Sequence, residues 1–489
     1  MRRIVCFVFC ALISSVSTGC VLPSRDGLPA ESPFREPVVL SNDLLPQGIA
    51  VGDVSATGAV LWLRTNGAAA VRVEWATPAV WDAASRSETV GAEVSRTAQF
   101  TMTEESDYTL SIPLGGLAPA ARYRYQVVIE RREDPGPSGQ ARLAARGEFT
   151  TLPDIISSAS VTFAWSADLG GQSRCRQGTV GYPIFDVMRK QNLDFFLFLG
   201  DTIYSDYACP SPPNEPGADF VATTLDEYRA RHRYQRGAVS LRRLLEVVPV
   251  YVTWDDHEVR NDFSGPFDDR MPNGLRALRD YWPITSPSDD PNRLYRSVRY
   301  GADVELFILD TRQYRSRNVD RDGPDKTMLG AAQRRWLIES LTHSSATWKV
   351  IATSVPLSIP KGGPAYSDGW AAGPDAPGFE QERQVIVDAI LRRKIRNVVF
   401  LAGDVHYTQA NAYDPDADGV IDFHEFVAGP LSAGPGRETP ANDDLHPTRL
   451  INEGGYDNFG LVHANKDLLT ITIIDAAGGA RFSHRLRAR

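Results

Sequence analysis

The 489-residue sequence predicts an N-terminal all-β sandwich followed by an α/β domain. Two patterns carry that expectation. Short alternating strands separated by Gly, Pro and Asn fill residues 40–152, and strands alternate with helices over more than half of the rest. The composition, 42% hydrophobic and 23% charged, is that of a globular chain and excludes collagen-like, disordered and polytopic membrane classes. Acidic residues outnumber Lys and Arg by 61 to 52, giving a net charge of −9. No basic face is expected, so a nucleic-acid scaffold is not an expected partner.

Residues 1–20 read as an export signal. Met1-Arg2-Arg3 is a basic n-region, Ile4 to Val16 is mostly apolar, and Ser17-Thr18-Gly19-Cys20 resembles a bacterial lipobox. The expectation is an exported chain at the bacterial periplasm or cell surface, touching membrane only through a lipid on Cys20. A plain secretory signal cleaved nearby is the alternative. Residues 21–39 are rich in Pro, Ser, Glu and Arg and read as a tether. Beyond Cys20 only Cys175 and Cys209 remain. In an oxidising compartment they suggest one disulfide between two loops, with two free buried thiols as the alternative.

Within the predicted sandwich, Ala59–Arg64, Val71–Trp75 and Tyr123–Ile129 alternate as half-buried strands, with no helix expected between them. Leu114–Tyr125 resembles the strand-turn-strand of fibronectin type III-like domains. The α/β domain is expected over 160–489. Its strands are Val161–Trp165, Asp194–Leu199, Val248–Trp254, Val304–Leu309, Trp348–Thr353 and Asn397–Leu401. Helices are expected over Tyr182–Gln191, Leu241–Glu246, Leu329–Leu341 and Glu380–Arg393, and a closing hairpin over Leu468–Ile474 and Arg481–Leu486.

Four of these strands run straight into carboxylate, Tyr or His: at Asp168, at Asp201 and Tyr204, at Asp255, Asp256 and His257, and at Asp404 and His406. Strand carboxyl ends are the ligand-binding edge of α/β folds. Carboxylates crowded there repel one another unless a cation neutralises them. The expectation is a metal centre. A single Gly-Asp or His of this kind is more often a cap or a satisfied polar group; four in one α/β segment are not.

Gly200–Tyr204, Trp254–Val259 with Asn261, Leu309–Arg315 and Gly403–His406 resemble the alkaline phosphatase D (PhoD-like) family of calcineurin-like metallophosphoesterases. Asp368–Trp370 and Phe426–Leu431 are similar to further landmarks. The resemblance implies a β-sandwich ahead of a metallophosphoesterase domain of two mixed β-sheets flanked by helices. It implies Asp168 at the first metal position, where well-known members carry Cys, Asp201 as bridging carboxylate and Tyr204 as phenolate ligand. Asp256 and His257 stand where the superfamily has Asn-His, and Asp404 and His406 match its final His-rich motif. The superfamily's additional His is absent, since Thr353–Pro356 stands there.

The implied activity is phosphatase or phosphodiesterase hydrolysis of small phosphate esters by metal-activated hydroxide. His257 is a candidate proton donor, Asn261 a candidate metal or phosphate contact, and Arg260 and Arg312 candidate phosphate partners. An oxygen-rich ligand set favours hard ions: Ca²⁺ with Fe³⁺ by resemblance, or Mg²⁺ and Mn²⁺.

Asp414, Asp416, Asp418, Asp422 and Glu425, with Gly419, match the spacing of a twelve-residue calcium loop, a candidate second ion site. Two other functions compete. Gly200-Asp201-Thr202 with Asp443 and His446 would suit a serine- or threonine-type esterase, although no Gly-x-Ser-x-Gly is present. A non-catalytic calcium-binding surface protein is the third reading.

Overall fold

The computed structural model describes residues 38–39, 42–86, 94–131 and 141–489. The expected signal, the Cys20 expected to carry lipid and nearly all of the expected tether lie outside the described residues. No helix among the described residues is long and apolar enough to cross a membrane.

The described residues form three sheets. A nine-stranded sheet places Val161–Ser166, Phe195–Leu199 and Val250–Thr253 side by side and parallel. A seven-stranded sheet does the same with Val304–Ile308, Trp348–Ala352 and Val398–Ala402. These strands are nearly continuous apolar runs because both faces are covered. One face of each sheet packs on the other, where Phe163, Trp165 and Leu197 meet Leu306, Val350 and Leu401. The outer faces carry helices. Val239–Leu245 and Met271–Tyr281 cover the first sheet, and Gly330–His343 and Glu380–Arg392 the second. The indole N–H of Trp165 donates to the Ala402 carbonyl (3.2 Å) and ties the two sheets together at their functional ends.

The N-terminal sandwich has a six-stranded sheet built around Ala69–Ala76, Arg122–Glu130 and Arg142–Thr150. Its second layer is Ile49–Gly52, Gly58–Arg64 and Thr109–Gly115, which continue the nine-stranded sheet through a parallel pairing of Gly52 with Val250. One sheet therefore serves both halves of the chain, and a single apolar core runs from Val71 and Val127 to Phe163 and Val350. The expectation of no helix in this region fails. Pro78–Arg86 is helical, with Pro at its first position, where a missing N–H costs nothing. It lies on the sheet through the Arg124–Asp82 ion pair (2.7 Å).

Two further helices stand outside the expected elements. Leu225–Arg236 is a helix with a full capping box from Thr224 and Glu227, yet it buries Arg229, Arg231 and Arg236 rather than an apolar stripe. Met271–Tyr281 packs beside it. Cys175 and Cys209 form a disulfide, which joins the loop after Asp168 to the loop after Tyr204.

Candidate metal centre

The four acid-tipped strands converge. Asp168 and Asp201 follow neighbouring strands of one sheet, Asp255 and Asp256 the next strand, and Asp404 and His406 leave the facing sheet. Asp168 (φ 67°), Asp201 (φ 50°), Asp404 (φ 75°) and His406 (φ 60°) all adopt left-handed backbone, a strain that persists only where the surroundings enforce it. Ligand atoms of Asp168, Asp201 and His406 lie within 4.8 Å of one another. The same holds for Asp201, Asp256 and His257, and for Asp255, Asp256 and Asp404. All of these residues are buried.

Backbone clamps hold the tips. Glu258 accepts the N–H groups of Asp201 (3.1 Å), Thr202 (2.6 Å) and Asp255 (2.9 Å), and also the Thr202 hydroxyl (2.7 Å). The N–H of His257 donates to Asp201 (3.2 Å). The Tyr204 ring stacks on His257 with centroids 4.1 Å apart, and its hydroxyl lies 2.7 Å from His406 Nε2. Two glycines make room. A Cβ at Gly171 would sit 2.1 Å from the Tyr204 ring, and one at Gly429 (φ 144°) would sit 2.5 Å from Asp168 Oδ2.

Each imidazole has one nitrogen engaged from outside. His406 Nδ1 meets the Gly434 carbonyl (2.5 Å), which directs Nε2 inward. His257 Nδ1 meets Asp206 Oδ1 (2.7 Å). Burial works against protonation of His257, but Asp256 and Asp206 outweigh it and push its pKa up to about 9. Burial alone dominates at His406 and brings it down to about 3.

The carboxylates show what the cluster lacks. Burial, with repulsion from neighbouring acids, raises Asp168 to about 8 and pushes Asp201 and Asp404 well above the ordinary range. Asp256 is the exception, held low against burial by His257, Arg312 and Lys361. Among the described residues, both oxygens of Asp168, Oδ2 of Asp201, Oδ2 of Asp255, Oδ1 of Asp256 and Oδ2 of Asp404 are buried without a hydrogen-bond partner. Buried, unpaired carboxylate oxygens facing one another are costly, and bound cations would satisfy them. The residues present therefore fit metal ions, with Asp168, Asp201, Tyr204, Asp256, Asp404 and His406 as the expected ligand set.

Residues 163–466 match the model of the PhoD-like phosphatase family, and residues 34–153 match the model of the PhoD-like phosphatase N-terminal domain. The chain belongs to the PhoD-like phosphatase family. Its enzyme class is that of the PhoD-like alkaline phosphatases. Alkaline phosphatase D of Bacillus subtilis (strain 168) is 27% identical over 429 residues, which is 79% of this chain and 69% of that protein. A solved structure of PhoD aligns with TM-score 0.71 at 24% identity over 91% of each chain. Purple acid phosphatase PPD1 from yellow lupin (Lupinus luteus) seeds aligns with TM-score 0.62 at 13% identity, covering 91% of this chain and 75% of the other. The two structural likenesses are likenesses of fold.

Several sequence expectations change within this PhoD-like site. Arg312 is committed to carboxylates of the protein itself. It is fully buried, with Nε on Asp255 (2.5 Å) and both terminal nitrogens on Asp368 (2.7 Å each). It is a positioning residue beneath the cluster. Arg260 is half exposed and turned to Asp268. Asn261 stands exposed at the rim, with its backbone N–H on Asp206 (2.8 Å). The acidic loop joins the antiparallel strands Thr408–Tyr413 and Phe423–Val427 rather than two helices. Asp414, Asp416 and Asp422 approach within 4.8 Å, but the Asp418 carboxylate accepts the Val420 N–H (2.8 Å). Glu425 is buried on the Leu357 N–H (2.6 Å) and the Tyr413 hydroxyl (2.7 Å), because strand alternation points it into the sheet core. It cannot close a twelve-residue calcium loop.

Sequence reasoning missed Asp206, Glu258 and Lys361. Glu258 sits inside a quoted motif and Asp206 two residues beyond one, and their roles follow only from pairing across the site. Lys361 lies in a Gly-Pro loop with no spacing signal at all. Its ammonium forms an ion pair with Asp404.

Proposed function

We propose that this chain is an exported, metal-dependent phosphatase or phosphodiesterase acting on small phosphate esters. The observation that carries the reading is the set of buried, unpartnered carboxylate oxygens at four converging strand ends. Asp168, Asp201, Tyr204, Asp256, Asp404 and His406 would hold the ions. The donors are oxygens with imidazole nitrogen in the minority, which favours Ca²⁺ with Fe³⁺, or Mg²⁺ and Mn²⁺, over a His- or Cys-rich zinc site. Bound there, such ions lower the pKa of water and neutralise the ester's charge.

The protein's own residues supply orientation and a proton. Arg312 holds Asp255 and Asp368 in place, and Glu258 locks the backbone of the tips. His257, fixed through Nδ1 by Asp206, is left with Nε2 to protonate the departing alkoxide. An esterase mechanism through Thr202 has little support, because that hydroxyl is buried and donates to Glu258. His446 instead sits on the Asp414 carbonyl (3.2 Å). The apolar segment Ile4 to Val16 and the Cys175–Cys209 disulfide support a location outside the cytoplasm.

The test is hydrolysis of p-nitrophenyl phosphate and bis-p-nitrophenyl phosphate before chelation, after it, and after adding ions back. Turnover that is lost on chelation and returns with Ca²⁺, Fe³⁺ or Mn²⁺ is expected. Undiminished turnover in a fully chelated sample would refute the proposal.

A further inference from the structure

With Arg312 buried on Asp255 and Asp368 and Arg260 turned to Asp268, neither guanidinium is placed to meet a phosphoryl group. Three Lys or Arg side chains form ion pairs with the clustered carboxylates among the described residues: Arg312, Arg315 and Lys361. The side chains of Arg312 and Arg315 are 0% exposed and committed to Asp255 and Asp368. Lys361 differs on both counts. Its side chain is 24% exposed, and it approaches from a separate loop.

The loop anchors Lys361 through its backbone. The Lys361 carbonyl accepts the Asp368 N–H (2.8 Å), and Gly362 (φ 115°) turns the chain immediately afterwards. A Cβ at Gly362 would lie 2.8 Å from backbone atoms of Asp368 and Tyr366, so the turn is tightly packed. From that anchor a four-carbon stem carries three N–H donors. One ion-pairs with the Asp404 carboxylate and another reaches the Asp404 carbonyl (3.3 Å). Among the described residues no hydrogen-bond partner is seen for the third.

We propose that Lys361 is both the internal counter-ion of the metal-free centre and the residue that contacts the substrate's phosphoryl oxygens in the loaded one. This inference deepens the metal-dependent reading above and rests on it. Without metal, the ammonium neutralises Asp404, one of three carboxylates that crowd together with Asp255 and Asp256. With metal, Lys361 gives up part of that carboxylate, since a lysine ammonium and a metal ion cannot both neutralise it fully. The released donors belong to the one cation of the three whose side chain is partly exposed, and so within reach of an arriving dianionic phosphate group. A compact ammonium on a flexible stem suits this exchange better than a buried bidentate guanidinium. Lys361 is thus predicted to weaken metal uptake and to strengthen phosphate binding.

The two effects have opposite signs, and a merely structural lysine would not produce them together. Wild-type protein, K361M and K361R are stripped with a chelator and titrated with Ca²⁺ by calorimetry. Inhibition by inorganic phosphate and the KM for p-nitrophenyl phosphate are then measured on the reloaded proteins. K361M should bind Ca²⁺ about tenfold more tightly and inorganic phosphate about tenfold more weakly, with KM raised more than kcat is lowered. K361R should recover most of the phosphate affinity. If K361M proves unstable by circular dichroism, K361Q replaces it. Unchanged or weaker Ca²⁺ binding in the variant, or unchanged phosphate inhibition, overturns the proposal while leaving the metallophosphatase reading intact. A wild-type protein that neither takes up metal nor hydrolyses esters overturns that reading, and this proposal with it.

Discussion

Replacing Arg312 separates a positioning role from a phosphate-binding one. The guanidinium makes three charge-assisted hydrogen bonds, one to Asp255 at 2.5 Å and two to Asp368 at 2.7 Å. Such bonds contribute about 1.5–3 kcal/mol each, and the desolvation of a fully buried guanidinium offsets part of the sum. In Arg312→Met, Asp255 retains the Ser354 hydroxyl (2.8 Å), and Asp368 retains Arg315 and the Asn318 amide. The remaining carboxylates are left short of charge, so the expected loss of stability is about 3–5 kcal/mol, the usual cost of breaking a buried pair from one side. Urea unfolding of the metal-free protein measures that loss, and inhibition by inorganic phosphate measures the competing role. Arg312→Lys keeps a charge without the fork and should fall between the two. The expected result is a clear drop in unfolding midpoint with phosphate affinity little changed in the folded fraction. A variant as stable as the parent but about tenfold weaker for phosphate would refute the reasoning, because Arg312 would then touch the substrate.

Three further outcomes follow from the same geometry. Asp206→Ala removes the partner of His257 Nδ1 and should lower kcat about 10- to 100-fold with metal content unchanged, checked by steady-state kinetics and elemental analysis. Replacing both Cys175 and Cys209 by Ala opens a link spanning 34 residues and should cost about 3–4 kcal/mol by loop entropy, read from urea unfolding. His232 is buried on the Tyr281 ring, and burial, then Arg236 and Arg231, lowers its pKa to about 3. The unfolded chain takes up that proton first as pH falls, so stability is lost from about pH 6.5 down towards 3, at about 1.4 kcal/mol per pH unit. His232→Phe should therefore gain about 2 kcal/mol relative to wild type between pH 7 and pH 5, and a difference independent of pH would contradict it.

The central strands were legible because parallel strands covered on both faces are written as apolar runs, and those here end abruptly in Asp or His. Val161–Ser166, Phe195–Leu199 and Val398–Ala402 fall within a residue or two of their expected ends. The same abruptness marked Asp168, Asp201, Asp256 and Asp404. What could not be read depends on pairing between distant segments. The parallel contact of Gly52 with Val250 merges the two predicted domains into one sheet, and no local pattern announces it. The helix Leu225–Arg236 escaped because its buried face mixes arginines with Tyr228, His232 and Gln235 instead of an apolar stripe, with Arg231 on the Ala218 carbonyl (2.6 Å) and Arg229 on the Asp280 carboxylate (2.7 Å). Arg312 and Arg260 looked equivalent as charges near a motif, yet one is fully buried and the other is half exposed on Asp268. Glu425 fits a calcium loop by spacing alone, but strand alternation turns it inward.

The metal content of Asp201→Asn, measured beside wild type on freshly purified protein and paired with ester hydrolysis, tests the central claim most directly. Asp201 belongs to two of the candidate ligand groups, so losing one carboxylate oxygen should empty the centre and abolish turnover together. A folded Asp201→Asn protein that hydrolyses phosphate esters at the wild-type rate, or a wild-type protein that does so without bound metal, would contradict the account.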